Sequence, residues 1–291
     1  MRRGGPSTSF GLPPFTSAVK TLIITNFAIY LVMMFARLTV PVVAQFVEYF
    51  FYLRPIAVVH GQIWQLVTYS FLHDPHSVWH LLFNMLGVWM FGSSFQSDFG
   101  KSRFYEFYFW CVVGAALTTI GVGAFGLFAV HYVPVPLFAV MGGVWQQATI
   151  GASGGVFGLL IAFGMMHGNQ EIYVFPIPFP FRAKYLVAVW IFIAVVGAFS
   201  GANGVAEFAH LGGAIFGWAF LRFVPRYGLK TVASEGLFGI RNRYYKWKRR
   251  QAAKKFEVYM RQTNRKEYFD EHGNYHGPSV DKKDDDSGWV N

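Results

Sequence analysis

Charge is scarce in this chain. Only 14% of its 291 residues are charged, while 54% are hydrophobic and 19% aromatic. Soluble domains carry roughly 25% charged residues, so the composition points away from that class and towards a membrane protein. Cysteine is nearly missing: Cys111 stands alone, in an apolar run. No disulfide framework can form within the chain, and Cys111 reads as a small packing residue. The metalloprotease pattern His-Glu-x-x-His is also absent. His73, His76 and His80 do not have that spacing; His73 and His76 read as loop residues, and neither a metal nor another cofactor is expected. The two halves show no inverted repeat, which counts against a transporter.

What the chain does have is long apolar runs. A bilayer core needs about 20 mostly apolar residues per helix. Six candidate spans meet or approach that length: 21–40, 78–96, 104–128, 151–166, 185–200 and 205–224. The first exceeds the apolar core of a signal peptide, which argues against cleavage after it. These runs define an all-α membrane protein with a cytoplasmic N-terminal segment 1–20, a helical domain 21–224 and a basic tail 225–291.

The charges are uneven. From Arg222 to the C-terminus there are 16 Lys and Arg against nine acidic residues, which gives +7 of the net +10. Other basic residues cluster before the first span (Arg2, Arg3, Lys20), between the second and third (Lys101, Arg103) and between the fourth and fifth (Arg182, Lys184). Positive residues mark the cytoplasmic side, so both termini are expected there. Segment 42–77 is rich in aromatics, among them Tyr49, Phe50, Phe51, Tyr52, Trp64 and Tyr69. Such density belongs at a membrane interface, and the segment is expected to lie partly in the outer leaflet.

Spans two, four and six then run in the same direction. His80 and Asn84 begin span two, Ser153 begins span four and His210 lies near the start of span six, so all four reach one depth. Polar groups inside a bilayer are functional hints by default. Small residues favour contact between spans four and six: Gly151 and Gly155, Gly154 and Gly158, and Gly213 and Gly217 each recur four apart. A serine is a weak nucleophile until a neighbouring base takes its proton, and His210 is the candidate base. The pattern Gly151-x-Ser153-x-Gly155 also fits the nucleophile elbow of soluble hydrolases, but the membrane context rejects that reading. Glu171 falls in a cytoplasmic loop, and Glu207, one turn before His210, reads as a loop residue with at most a tuning role.

With these residues in place the chain resembles the rhomboid intramembrane serine proteases. Gly151-Ala152-Ser153-Gly154 is similar to that family's nucleophile motif, Ala209-His210-x-x-Gly213-x-x-x-Gly217 to its base-bearing helix, and His80-x-x-x-Asn84 to its oxyanion motif. The run from Trp64 to His73 is similar to the stretch preceding that helix. One departure stands out, because family members often have Trp-Arg where this chain has Trp64-Gln65. The resemblance implies a six-transmembrane-helix rhomboid-like bundle with a cytoplasmic tail, and a Ser153–His210 dyad assisted by His80, Asn84 and the Ser153 backbone N–H. It also implies a lateral gate formed by the fifth span and loop 201–204.

The implied substrates are single-pass membrane proteins whose helices unwind at the cut, since a helical backbone is hydrogen-bonded. The tail interleaves basic residues with Tyr244, Tyr245, Trp247, Phe256 and Tyr259. It reads either as an interfacial segment for anionic lipid or as a solvated stretch that enforces topology; no nucleic acid partner is expected. The compartment expected is a bacterial cytoplasmic membrane. A catalytically silent relative that binds membrane-protein clients, and a transporter, are the alternatives.

Overall fold

The computed structural model describes residues 13–133, 135–172, 180–199, 204–224, 241–251 and 258. The chain divides into two compact units, Met1–Leu229 and Lys230–Asn291. In the second unit the described residues 241–251 are helical and exposed.

The first unit is helical, with elements α1 (Ser17–Thr39), α2 (Pro41–Phe51), α3 (Pro55–Val59), α4 (Gln65–Thr68), α5 (Val78–Tyr132), α6 (Pro136–Gly143), α7 (Ser153–His167), α8 (Ala183–Phe199) and α9 (Gly204–Phe223). A two-stranded antiparallel pair, Glu171–Ile172 with Phe181–Arg182, precedes α8. All six apolar runs identified in the sequence are helical over most of their length. Among the described residues α1 and α5 are long and apolar enough to cross a bilayer, and α7 and α8 are shorter apolar helices.

Helix α5 contains both the second and the third apolar runs, with no loop between them. The chain reverses at a single residue, Gly100, whose φ of 81° and ψ of 169° interrupt the helix; a positive φ is a region that glycine enters without steric cost. The two limbs fold back on each other. Phe95 and Phe107 stack at 4.3 Å between ring centroids, and a Cβ at Gly92 would lie 3.0 Å from the Phe104 ring. Arg103, counted above as a loop charge, instead lies in the second limb. It is buried, pairs with Glu106 at 3.1 Å, donates to the Val224 carbonyl at 3.1 Å and sits over the Phe220 ring.

The core lies where the limbs of α5 meet α1, α7 and α9. Val19, Leu81, Phe104, Tyr108, Leu159 and Phe220 are all buried there. Opposite faces remain apolar and exposed, with Leu31, Val32 and Phe35 on α1 and Trp190, Phe192 and Ile193 on α8. Apolar surface of that extent needs a partner phase or a protein partner.

The aromatic segment 42–77 is built from α2, α3, α4 and a 3-10 turn at Tyr69–Phe71. Gln65, the departure from Trp-Arg, is fully buried and pins this segment internally. Its Oε1 accepts from the Arg54 N–H at 2.9 Å, and its amide nitrogen donates to the Phe50 carbonyl at 3.2 Å. The segment is tied to the start of α7 by a bridge between Leu53 and Thr149 and by the Gly151 N–H donating to the Tyr69 carbonyl at 3.0 Å.

Candidate active site

Ser153 is the first residue of α7. The first amides of a helix have no intrahelical acceptor, and the helix dipole there favours negative charge. The preceding turn is set by Gly151, with φ of 108°. A Cβ at Gly151 would lie 2.8 Å from His80 Nε2, 2.9 Å from His80 Cε1 and 3.7 Å from Asn84 Nδ2. Glycine is therefore required twice, for the backbone conformation and for the close approach of the imidazole.

His80 and Asn84 occupy one face of the first limb of α5. The Asp74 backbone N–H donates to His80 Nδ1 at 3.3 Å. An accepting Nδ1 leaves the ring proton on Nε2, the atom beside Gly151, so His80 presents a donor there. Asn84 donates one amide hydrogen to the His80 carbonyl at 2.8 Å and keeps a second. Behind them His73 packs edge-on to His80 at 5.3 Å. Burial, then the proximity of His80, lower the His73 pKa from 6.5 to about 3, partly offset by a backbone contact at Phe71, so it is neutral near pH 7.

The seam between α7 and α9 is made of glycine on both sides. A Cβ at Gly213 would collide with the Gly154 carbonyl, and one at Gly217 would lie 2.8 Å from Gly158 Cα. The α9 glycines thus press on the backbone of Gly154 and Gly158, whose own open sides meet Ala115 and Cys111 of α5, whereas Gly155 faces the Tyr108 ring and Gly151 faces His80. Of the glycines expected to pack helices, Gly151 lies before α7 and serves the turn. The free cysteine is also part of this packing, because Cys111 fits against Gly158.

His210 is carried on α9 next to that seam. Its ring lies parallel to Phe157, with centroids 4.3 Å apart and an interplanar angle of 6°. Phe157 is four residues after Ser153, one turn along the same helix face. His210 and His80 are near enough to interact electrostatically. Among the described residues no hydrogen bond joins Ser153 to His210, and such bonds are often long in a substrate-free site.

Glu207 differs from the sequence reading. It is not a loop residue but lies in the first turn of α9, with Oε2 2.9 Å from His210 Nδ1. A carboxylate in an apolar helix is costly, which favoured a loop. The helix N-terminus and the imidazole offset that cost. The three-residue spacing from His210 was the signal that could have revealed the contact. The expected gate loop falls mainly on residues 201–203, outside the described residues.

These features define a helical protein with a serine at a helix start, an imidazole across a glycine seam and two donors aimed at the turn before the serine. The rhomboid domain family matches residues 60–227, and the chain belongs to the rhomboid family, a family of membrane proteins that are generally serine intramembrane proteases. Helix α1 lies outside that match. The chain is also similar to "Rhomboid protein 1, mitochondrial" of Saccharomyces cerevisiae, 27% identical over 177 residues. The aligned part covers 59% of this chain and 46% of the yeast protein, so the chain spans about half the length of that relative.

Proposed function

We propose that the chain is an intramembrane serine endopeptidase that crosses the bilayer six times and cuts single-pass membrane proteins in or near their transmembrane segments. The observation that carries this reading is the convergence around Gly151–Ser153. His80 Nε2 and Asn84 lie on one side of the turn, and the glycine seam with α9 brings His210 beside Phe157, one turn from the serine.

In the first step Ser153 Oγ attacks the scissile carbonyl while His210 Nε2 takes the hydroxyl proton. A C–O bond forms and the carbonyl pair moves to oxygen. The resulting oxyanion is stabilised by His80 Nε2–H, the second Asn84 hydrogen and the Ser153 backbone N–H. His210 then protonates the leaving amine as the C–N bond breaks. Water, deprotonated by the same imidazole, releases the acyl-enzyme and restores Ser153.

Two limbs of α5 together with α1, α7, α8 and α9 make the six spans, with the basic residues of the tail on the cytoplasmic side. Substrate enters from lipid past α8. The basic, aromatic tail is read as a contact for anionic lipid. We read the membrane as a bacterial cytoplasmic one. The word mitochondrial in the yeast relative's name describes that protein, and protease protection of the tail in sealed vesicles reports orientation in either membrane.

The test is covalent labelling of the full chain in detergent with a fluorophosphonate, a reagent whose phosphorus is attacked by activated serines with loss of fluoride, leaving a phosphonylated serine. An adduct mapped to Ser153 by mass spectrometry and lost in His210→Ala supports the dyad. Absence of any adduct at Ser153 favours the catalytically silent, client-binding alternative.

A further inference from the structure

We propose that Glu207 is the positioning residue of His210, making the site a Ser–His–Glu arrangement, and that helix α8 holds Glu207 in place through Gly197. The inference rests on the protease reading above and adds a group to the Ser–His dyad.

Three observations support it. First, Glu207 Oε2 is 2.9 Å from His210 Nδ1, and both side chains are largely buried. A carboxylate at that distance accepts the Nδ1 proton, so the lone pair of neutral His210 lies on Nε2, the nitrogen required to take the serine proton. This is the orienting role an acid performs in a triad: it fixes the tautomer and stabilises the imidazolium that forms. Second, the ring is held in its plane by Phe157 at 4.3 Å. Face packing alone permits the imidazole to flip about its bond to Cβ, and the carboxylate selects one of the two orientations. Third, Glu207 is itself confined. A Cβ at Gly197 of α8 would lie 2.8 Å from Glu207 Cγ and 3.1 Å from its Cδ, so the backbone of α8 forms one wall of the carboxylate's site.

The consequence is a link between α8 and the base. Around His210, α9 contributes Glu207, α7 contributes Phe157 and α5 contributes His80, while α8 meets Glu207 through Gly197 and shares a buried cluster with Phe157 through Val187 and Ala194. When α8 is seated, Gly197 confines the carboxylate on Nδ1. Displacing that wall is expected to free the carboxylate, and with it the orientation of His210.

The test is steady-state cleavage of a single-pass substrate in proteoliposomes by the full chain, separating kcat from KM. The variants are Ser153→Ala, Glu207→Gln, Glu207→Ala, Glu207→Asp, Gly197→Val and the double variant Gly197→Val/Glu207→Ala. We expect Glu207→Ala and Glu207→Gln to lower kcat by about 10²- to 10⁴-fold with KM little changed, the range spanned by loss of a group that orients or assists the base. Glu207→Asp recovers part of the loss, which a merely structural role would not require. Gly197→Val displaces the carboxylate and lowers kcat comparably. The double variant is no slower than Glu207→Ala, because both changes remove one interaction. Wild-type kcat in Glu207→Gln, with Ser153→Ala dead, overturns the role of Glu207 and leaves the protease reading intact. Losses that multiply in the double variant overturn the link to α8. A wild-type protein as inert as Ser153→Ala removes the protease reading, and this inference with it.

Discussion

Replacing Gly151 by alanine changes one methyl group and strikes the site at two points. The φ of 108° lies in a region that non-glycine residues rarely enter, and holding an alanine there costs about 1–3 kcal/mol. The new Cβ would also sit 2.8 Å from His80 Nε2, well inside ordinary contact. His80 cannot retreat freely, because its Nδ1 accepts from the Asp74 N–H, a bond worth about 1 kcal/mol net. The sum is a destabilisation of about 2–4 kcal/mol, together with displacement of His80, the oxyanion donor proposed above. Loss of one such donor lowers kcat by about 10²- to 10³-fold. Thermal unfolding in detergent and cleavage in proteoliposomes measure the two effects separately. A Gly151→Ala protein with wild-type unfolding temperature and wild-type kcat would refute the argument, because the turn would then neither need a positive φ nor carry the imidazole against it.

Other perturbations test neighbouring parts of the account. His80→Ala and Asn84→Ala should each reduce kcat by about 10²-fold with little change in KM; a pure KM effect in both would place these residues in substrate binding instead. Gly213→Val puts bulk where the Gly154 carbonyl lies and should destabilise by about 1–3 kcal/mol, as overpacking does, which a lowered unfolding temperature would reveal. Neutral, buried His73 makes stability sensitive to acid. Its folded-state pKa of about 3 lies below the ordinary 6.5, so the unfolded chain takes up the proton first, and stability is lost as pH falls from about 6.5 towards 3. His73→Gln should flatten that part of the stability–pH curve, and an unchanged curve would show that His73 does not set it.

The fold was legible where hydrophobicity alone decides it. Six apolar runs became helices because a long apolar stretch with few charges has no other way to satisfy its backbone in lipid. The join at Gly100 was less visible: composition marks Lys101 and Arg103 as loop charges, and only the backbone reveals a one-residue reversal. Segment 42–77 announced its aromatics but not its short helices, since α3 and α4 are single turns held by tertiary bonds such as those of Gln65. Within the site, Ser153, His210, His80 and Asn84 could be named because polar residues stand out against an apolar background. The partner of His210 could not be fixed in the same way. Glu207 carries a cost that argues for a loop until the N-terminal turn of α9 and the imidazole are seen beside it. The spacing of Gly151 places it in a packing stripe, because spacing alone does not separate a glycine that packs from one that turns.

The most direct test of the account is cleavage of a single-pass membrane substrate, reconstituted with the full chain in liposomes, by wild type, Ser153→Ala and His210→Ala. The account predicts that wild type cuts and that both variants lose essentially all activity while remaining folded. Cleavage that persists in Ser153→Ala contradicts it.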